Sequence, residues 1–431
     1  MGKIIIFLRR IFSMKMSKIV ALILVVVMAL STLASCNIGG NKNEGSHEYE
    51  ALNGTYNITM WVSEIEGVAD QFQAQIDAFE AKYPGIIINA EIEGVTEGDA
   101  GSQVINDVST APDIYCFAQD QLARLVQAAA LAAPASKVEA ELKATNDAGS
   151  IAAASVGGKL YAYPLTSDNG YYMFYDSSLF TAEDVESMEK IIEICEANNV
   201  KFRYPLSNGW YNAGFFFATG CESIWSVDEN GQFNGVNDTY NSDKGLVAMK
   251  AMQKLAQSPC FDPDNETLID CGVVISGTWA ANNMKEYFGD NYAATDLPSF
   301  TVDGNTYHMG SFTGNKLMGV KPQPQGEENK AAVLSLLAQF LTNGDCQLER
   351  FNEFGWGPSN LAAQQNEAVQ ADPALAALAK QSAYGKPQGQ IHGDWWKIAE
   401  ALGGYAKNAT NDQELKDYLG AYENSIKGLI K

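Results

Sequence analysis

The feature that most constrains this chain is a strand–helix–strand order that begins near residue 54 and repeats. Residues 55–62 alternate as a half-buried strand does, and residues 86–93 form a second apolar-rich run. Between them, one face of a predicted helix carries Phe72, Ile76, Phe79 and Tyr83. Further strands are predicted over residues 111–118 and on both sides of residues 167–170. This order predicts an α/β protein with a mostly parallel sheet.

The N-terminal segment has the pattern of an exported bacterial lipoprotein. Residues 1–35 contain basic but no acidic side chains, and residues 19–30 are an apolar run that is short for a membrane span. Residues 33–36 read LASC, which matches the bacterial lipobox. The pattern predicts a signal peptide over 1–35, lipidation of Cys36 and a flexible tether over 36–53. An ordinary cleavage site with an incidental cysteine is the alternative.

Charge and length exclude one class of partner and suggest several domains. The formal net charge is -23 and the isoelectric point is near 4.5. Phosphate backbones are bound by clusters of basic side chains, so nucleic acid is excluded as a ligand. A chain of 431 residues is too long for one ordinary core, so two or three domains are expected.

Neither the cysteines nor the clustered carboxylates have the spacing of a metal-binding motif. Apart from Cys36, the cysteines are Cys116, Cys195, Cys221, Cys260, Cys271 and Cys346. None forms a CxxC pair, so no metal is predicted. Cys260 and Cys271 bracket a short loop and are the favoured disulfide, with buried free thiols as the alternative. Residues 262–266, DPDNE, favour a turn over a calcium site because the EF-hand spacing is absent.

The sequence offers few candidates for catalytic residues. The chain has three histidines and lacks the G-x-S-x-G, H-E-x-x-H, P-loop and G-x-G-x-x-G motifs. We therefore predict a protein that is not an enzyme and uses no cofactor. A surface glycosidase, which needs a pair of carboxylates across the sugar, is kept as an alternative.

Aromatic residues stand on loops where the predicted strands end, with carboxylates beside them. The aromatic set is Trp61, Phe117, Trp210, Trp279, Trp356, Trp395 and Trp396, and the acidic set is Glu64, Asp120 and Asp168. The C–H face of a sugar stacks on an aromatic ring, while its hydroxyls need carboxylate, amide and indole N–H partners. The combination predicts carbohydrate recognition.

The adjacent tryptophans lie at the start of a predicted helix. Asp394 is predicted to be the N-cap, with both rings in the first turn. Neighbouring helix positions point about 100° apart, so the rings need not serve one surface.

Several segments of the sequence occur in an order that is shared with a known protein family. These are APDIYCFAQDQLARLVQAAALAAP, GGKLYAYPL, ISGTWA and GDWWKIAEAL. Through them the chain resembles the extracellular solute-binding proteins of bacterial ABC importers, specifically the maltose/maltodextrin-binding family. The resemblance implies a two-lobed periplasmic-binding-protein fold with discontinuous lobes, a hinge and a ligand cleft between the lobes. The implied N-lobe is 54–167 with 313–356, and the implied C-lobe is 168–312 with 357–431.

The resemblance also assigns roles to residues. It implies sugar contacts by Trp61, Glu64, Phe117 and Asp120, a hinge carboxylate at Asp168, and aromatic platforms at Trp210, Trp279 and Trp395 with Trp396. Because it puts the start of this last helix at the floor of the cleft, we predict that Trp395 lies under a sugar and that Trp396 is a flanking contact or packs behind it. Two positions depart from the family pattern. The arginine that often follows the aspartate is Gln121 here, and the glutamate before the first platform is Asn208.

The function implied is that of a receptor. It would be a monomer anchored through Cys36 at the extracellular face of the membrane, capturing oligosaccharide, maltodextrin being favoured, and passing it to the subunits of an ABC permease. The alternatives are a receptor for a peptide, polyamine or sugar phosphate, a starch-adhesion protein, and the glycosidase above.

Overall fold

The computed structural model describes residues 49–430. Of these, residues 49–53 and residues 54–430 fall in separate units. Within 49–53, a 3-10 turn covers Glu50–Leu52. The predicted signal peptide, the lipidation site at Cys36 and most of the tether lie outside the described residues. No helix within residues 49–430 has the length and apolar character that a membrane crossing requires.

Strands and helices alternate along most of the second unit. The strands are β1 (Gly54–Val62), β2 (Ile86–Gly94), β3 (Ile114–Ala118), β4 (Ser155–Val156), β5 (Lys159–Leu160), β6 (Tyr163–Thr166), β7 (Tyr171–Asp176), β8 (Lys201–Arg203), β9 (Ser223–Val227), β10 (Phe233–Asp238), β11 (Phe261–Asp262), β12 (Cys271–Gly277), β13 (Tyr292–Thr295), β14 (Ser299–Val302), β15 (Asn305–His308), β16 (Ser311–Thr313), β17 (Lys316–Val320) and β18 (Gly385–Pro387).

The helices cover the sheets. They are α1 (Val68–Lys82), α2 (Glu97–Asn106), α3 (Leu122–Gln127), α4 (Ser136–Thr145), α5 (Ala148–Ala153), α6 (Met188–Asn198), α7 (Gly209–Ala218), α8 (Asp243–Ala256), α9 (Ala281–Phe288), α10 (Glu328–Leu341), α11 (Gly344–Phe354), α12 (Leu361–Gln364), α13 (Glu367–Ala371), α14 (Pro373–Ser382), α15 (Gly393–Asn408) and α16 (Asp412–Lys427). Short 3-10 turns cover Gln119–Gln121, Asp184–Glu186, Thr278–Ala280 and Gly289–Asn291.

Two five-stranded sheets form the centres of the two lobes, with orders β2–β1–β3–β17–β6 and β11–β8–β12–β7–β13. β1 pairs in parallel with β2 and β3, whereas β17 runs antiparallel to β3 and β6. β8 pairs in parallel with β11 and β12, whereas β7 runs antiparallel to β12 and β13. Four of the five strands in each sheet therefore run in the same direction, with β17 and β7 as the reversed strands, which confirms the prediction of a mostly parallel sheet. β7 and β17 directly follow segments that connect the lobes, so each enters its sheet from the opposite end.

The connecting segments are hydrogen-bonded to one another where the lobes adjoin. Ser167 donates its backbone N–H to the Gly357 carbonyl at 3.0 Å, and Asn169 donates its backbone N–H to the Gly314 carbonyl at 3.1 Å. Because three separate parts of the chain meet here, a change in the angle between the lobes must pass through these few residues.

The buried face of α1 is the one that the spacing of its apolar residues predicts. In α1, Phe72, Ile76 and Phe79 are fully buried against the first sheet, and the helix ends before Tyr83. Their spacing puts them on one side of the helix, which confirms the predicted amphipathic face.

The last two helices complete the second lobe. α15 begins at Gly393, and its N-cap is His392, whose ring accepts the Asp394 N–H at 3.3 Å. The predicted N-cap at Asp394 is therefore wrong by two positions. A side chain at Gly403 would lie 2.0 Å from the Leu206 carbonyl oxygen, so the lack of a side chain allows α15 to approach its neighbour closely.

The described cysteines are free and buried. Cys271 accepts a hydrogen bond from Arg203 Nε at 3.0 Å and forms no disulfide with the favoured partner, Cys260. The predicted disulfide is therefore wrong. Arg203 also pairs with Asp262 at 3.1 Å, and the loop over 262–266 is a turn in which Asp264 accepts the Glu266 N–H at 2.8 Å.

Candidate functional site

A continuous series of contacts runs across the junction of the two lobes. We call it the aromatic row, and its members are Trp356, Lys316, Trp279, Trp210, Gln388, Asp120 and Trp396. Asp120 and Lys316 lie at one edge of the first sheet, in the turn after β3 and at the start of β17. The other members come from the second lobe and the connecting segments. The row therefore combines rings, two charges and one carboxamide at the place where the lobes meet.

Trp210 and Trp279 form the central pair of rings. Trp210 lies in the first turn of α7, where Asn208 caps the helix by accepting the Trp210 N–H at 2.9 Å. Trp279 lies in the 3-10 turn that follows the buried strand β12. The two ring centroids are 5.8 Å apart. The departure at Asn208 thus has a structural reason, because this position orients the platform helix.

Lys316 places its ammonium group between two indole rings. Nζ lies 5.6 Å from the centroid of the Trp279 ring and 5.1 Å from that of Trp356. It also pairs with Glu97 at 3.3 Å, and both side chains are nearly buried. An ammonium over an indole face is electrostatically favoured, and the carboxylate compensates for the removal of its charge from water.

Gln388 and Asp120 link the rings by hydrogen bonds. Gln388 accepts the Trp210 indole N–H at 3.2 Å and donates its amide to Asp120 Oδ1 at 2.8 Å. Asp120 Oδ2 accepts the Trp396 indole N–H at 3.2 Å. One carboxylate and one carboxamide therefore occupy the space between two tryptophans from different helices.

Asp120 is 4% exposed, and its chemistry follows from that burial. Burial raises the pKa of Asp120 to about 6, while the charge of Arg124 and the hydrogen bonds from Trp396 and Gln388 act in the opposite direction. Gln121 faces the core, where it donates to the Glu97 carbonyl at 2.6 Å. The positive charge beside Asp120 thus comes from Arg124, three residues after the position where the family pattern has an arginine.

Asp168 connects the hinge segments. Its Oδ2 accepts the Gly357 backbone N–H and the Thr278 hydroxyl, both at 2.7 Å. Thr278 immediately precedes Trp279, so this carboxylate ties the position of one ring to the hinge. The Asp168 carboxylate thus accepts one backbone and one hydroxyl donor at the connecting segments. Its predicted contact with a ligand stays a prediction.

Three predicted contact residues are buried, and we correct their assignments. Phe117 is fully buried in β3, and Trp356 is 2% exposed behind Lys316. Trp395 is 0% exposed and donates its indole N–H to Tyr422 at 2.8 Å. Since a ring without free surface cannot stack on a ligand, these three residues pack the core. Trp396 is half-buried, so part of its ring surface is free, in contrast to Trp395.

Trp61 and Glu64 stand apart from these contacts. Trp61, near the end of β1, donates its indole N–H to Glu93 on β2 at 2.9 Å. Glu64 is exposed in the loop that follows. Their predicted contacts with a ligand stay predictions.

A cavity of about 910 Å³ lies beside the connecting segments. Small and apolar residues dominate its lining, among them Ala152, Ala376, Leu375 and Leu378, and no tryptophan is part of it. A saccharide needs ring faces and several hydrogen-bonding groups together, and the aromatic row has both. We therefore place the candidate site at the row.

Two members of the row were missed by sequence reasoning. Lys316 directly follows the connecting segment and opens the apolar strand KLMGV, where a charge is unexpected. Gln388 is the first residue of the loop between β18 and α15, and no distinctive local pattern surrounds it. The unexpected charge could therefore have identified Lys316 from the sequence, whereas nothing in the sequence distinguishes Gln388.

Comparisons with known proteins identify the family of this chain. Residues 74–377 match the family model of the bacterial extracellular solute-binding proteins. The chain therefore belongs to this family. A search of curated proteins finds no match.

Solved structures give the same fold. One that was determined with acarbose is 27% identical, covers 86% of this chain and 100% of that chain, and has a TM-score of 0.74. A maltodextrin-binding protein from L. casei is 21% identical, with coverages of 88% and 100% and a TM-score of 0.72. A maltotriose-binding protein from Thermus thermophilus, solved with maltotriose, is 17% identical, with coverages of 86% and 100% and a TM-score of 0.71. The two-lobed fold and the family resemblance are thereby confirmed.

Proposed function

We propose that this protein is a receptor that binds an oligosaccharide, with maltodextrin the favoured class, at the aromatic row. The observation that carries the proposal is the alternation of indole rings with Asp120 and Gln388 where the lobes meet. Half-buried rings offer faces for sugar C–H groups, and the carboxylate and carboxamide offer partners for hydroxyls. Maltotriose and acarbose are ligands of the similar structures, which supports this class.

A bound sugar could replace one of the hydrogen bonds within the aromatic row, the bond between Trp396 and Asp120. Asp120 comes from the first lobe, whereas Trp396 is on α15 in the second lobe. A sugar hydroxyl inserted between them would replace the direct bond by two bonds, one to each lobe. Ligand binding would then favour one angle between the lobes, since a ligand shifts a conformational equilibrium only by its differential affinity.

A thermal-shift screen tests the proposed ligand class. Maltotriose at about a hundredfold excess over Kd should stabilise the protein by about 2.7 kcal/mol and raise its Tm by several degrees. Xylo-, manno- and fructo-oligosaccharides, together with a peptide, a polyamine and a sugar phosphate, are the comparison ligands. A rise in Tm with only one of these ligands would assign the receptor to that ligand class instead. No change in Tm with any saccharide would contradict the proposal.

We further propose that binding involves no bond breaking. Family members are solute-binding proteins. Asp120 is engaged by Trp396 and Gln388, and Asp168 is engaged by Gly357 and Thr278, so both carboxylates already serve as hydrogen-bond acceptors. Release of reducing sugar from maltotriose during a long incubation would support the glycosidase instead.

The affinity for sugar is expected to fall as the pH is lowered through about 6. The ionised carboxylate of Asp120 accepts N–H groups on both oxygens, and protonation would turn one oxygen into a donor. Because burial raises the pKa of Asp120 to about 6, about nine-tenths of the free protein is protonated at pH 5. We expect Kd to rise about tenfold between pH 7.5 and pH 5, as measured by isothermal titration calorimetry.

Asp120→Asn is the matched control for this pH dependence. The variant should bind sugar weakly and with a flat profile across the same range, and an unchanged slope would assign the pH effect to another group. The effect of pH on stability through Asp120 is opposite in sign to its effect on sugar affinity. The folded chain holds the Asp120 proton more tightly than the unfolded chain, so this residue's contribution to the free energy of unfolding decreases as the pH rises towards 6.

We also propose that the receptor is held at the outer face of the membrane through lipidated Cys36 and delivers its ligand to an ABC permease. The LASC pattern at residues 33–36 and membership in an extracellular solute-binding family support this. Lipid chains anchor by roughly 0.8 kcal/mol per buried methylene. Mass spectrometry of the cell-associated protein, read for acyl groups on Cys36, tests the anchor.

A further inference from the structure

The turn after β3 is hydrogen-bonded to the loop that leads from β18 into α15. Ala123 donates its backbone N–H to the carboxamide oxygen of Gln390 at 2.7 Å. The carboxamide nitrogen of Gln390 donates in turn to the Gln119 carbonyl at 3.2 Å. The turn follows a strand of the first lobe, and the loop leads into a helix of the second lobe. One side chain therefore bonds the two lobes to each other.

Gln390 provides partners that the turn itself lacks. Ala123 lies in the first turn of α3, where backbone N–H groups have no partner within the helix. The side chain of Gln121, which precedes α3, does not cap the helix. Because both partners of the Gln390 carboxamide are backbone groups, its oxygen must face Ala123 and its nitrogen must face Gln119. The interaction thus depends on the amide chemistry of the side chain as well as on its size.

A hairpin of the second lobe contacts the same turn. Gly231 lies between β9 and β10, and the hairpin packs in the core of the second lobe through Trp225. The φ angle of Gly231 is 81°, and a Cβ atom at this position would overlap the carbonyl oxygen of Ala123. Ala123 is therefore in contact with the second lobe at its carbonyl as well as at its N–H.

Gln390 faces away from the aromatic row. Gln388, two residues earlier, lies between Trp210 and Asp120 in the row. Gln390 and Gln119 instead line the cavity beside the connecting segments, which contains no tryptophan. Each polar atom of the Gln390 side chain already has a backbone partner. This residue is thus placed to bond the lobes and not to contact a sugar.

We propose that Gln390 is a positioning residue that favours the closed arrangement of the lobes, in which its two bonds form, with or without a ligand. Water can replace the carboxamide when the lobes separate, so the two bonds shift the balance moderately. The apparent Kd is the intrinsic Kd divided by the fraction of binding-competent protein. Gln390 therefore scales the affinity for every ligand by one factor. This effect on affinity rests on the proposed function, whereas the effect on the lobes does not.

The test measures the distance between the lobes in the unliganded protein by double electron–electron resonance. Spin labels are attached to cysteines introduced at Ala140 on α4 and Ala421 on α16, which are exposed positions. The described native cysteines are buried, and Cys36→Ser removes the remaining thiol. We expect a short and a long distance in the parent protein. Gln390→Ala should lower the ratio of short to long about three- to tenfold, as the loss of these bonds implies.

Two further variants separate hydrogen bonding from packing. Gln390→Glu keeps the size of the side chain and the acceptor for Ala123, but it places a carboxylate oxygen against the Gln119 carbonyl. It should lower the ratio at least as much as Gln390→Ala does, whereas a residue that only fills space would leave the ratio unchanged. Gly231→Asn tolerates a positive φ but would overlap Ala123, so it should also favour the long distance.

Lys386→Ala is the control, because this exposed residue of β18 lies close to Gln390 in the sequence, and it should keep the parent ratio. Absence of the short distance in the parent, or a parent-like ratio in both Gln390 variants, would overturn the proposal. The Kd of each saccharide that binds should rise by a common factor in Gln390→Ala. A changed ranking of saccharides would make Gln390 a ligand contact and would also overturn the proposal. If no saccharide binds, the proposed function fails while the distances still test the role of Gln390.

Discussion

Replacing Trp395 by alanine is expected to lower the free energy of unfolding by about 3–5 kcal/mol, because a large buried ring is lost and the site cannot fully collapse. The ring lies 4.9 Å from Trp396 and 6.3 Å from both Tyr240 and Phe312, between centroids. Its indole N–H is bonded to Tyr422, whose hydroxyl donates in turn to Asp238 at 2.7 Å. The variant therefore also leaves a buried hydroxyl with one partner fewer.

Denaturant unfolding followed by intrinsic fluorescence and circular dichroism measures this effect. Trp395→Phe is the matched variant, because it keeps most of the ring but removes the donor, and it should lose clearly less stability than the alanine variant. A loss below about 1 kcal/mol for Trp395→Ala would contradict the assignment of this ring to the core.

Replacing Trp396 by alanine is expected to weaken oligosaccharide binding by ten- to a hundredfold while the fold persists. This ring is half-buried, and its N–H holds Asp120 Oδ2 at 3.2 Å. The substitution removes a stacking face and leaves a buried carboxylate with one donor fewer, two effects that together amount to about 1.4–2.8 kcal/mol of binding free energy.

Calorimetric titration with the saccharide selected by the thermal screen measures the change. Tyr405→Ala is the control, since this exposed aromatic lies on the same helix, α15, and outside the aromatic row. Its Kd should stay within a factor of two of the parent value. Equal Kd values for Trp396→Ala and the parent protein would show that α15 does not contribute to the site.

The difference in burial between Trp395 and Trp396 shows which features of a sequence predict structure reliably. The buried positions of α15 are Trp395, Ala399, Leu402, Gly403 and Ala406, which recur at the spacing of one helical face. Reading that spacing backwards from the middle of the helix places Trp395 on the core side. The resemblance directed attention to the pair as a whole, whereas the periodicity of the following residues distinguishes its members.

Other parts of the site depend on contacts that no local pattern contains. Gln388 bonds to both Asp120 and Trp210, although both residues lie far from it in the sequence. Arg124 similarly supplies the charge beside Asp120 only because its long side chain reaches back along the helix start. Strand and helix types could be predicted from periodicity, but these juxtapositions required the packed structure.

The position of β17 in the first sheet also governs when that sheet can be completed. β17 lies between β3 and β6, yet it is Lys316–Val320, far downstream of both. Until those residues emerge during synthesis, β3 and β6 have no strand to join them, and loop closure over this distance is slow. The first lobe therefore stays unfinished while most of the chain is being made. A secretion machinery that requires an unfolded polypeptide would gain time from this topology.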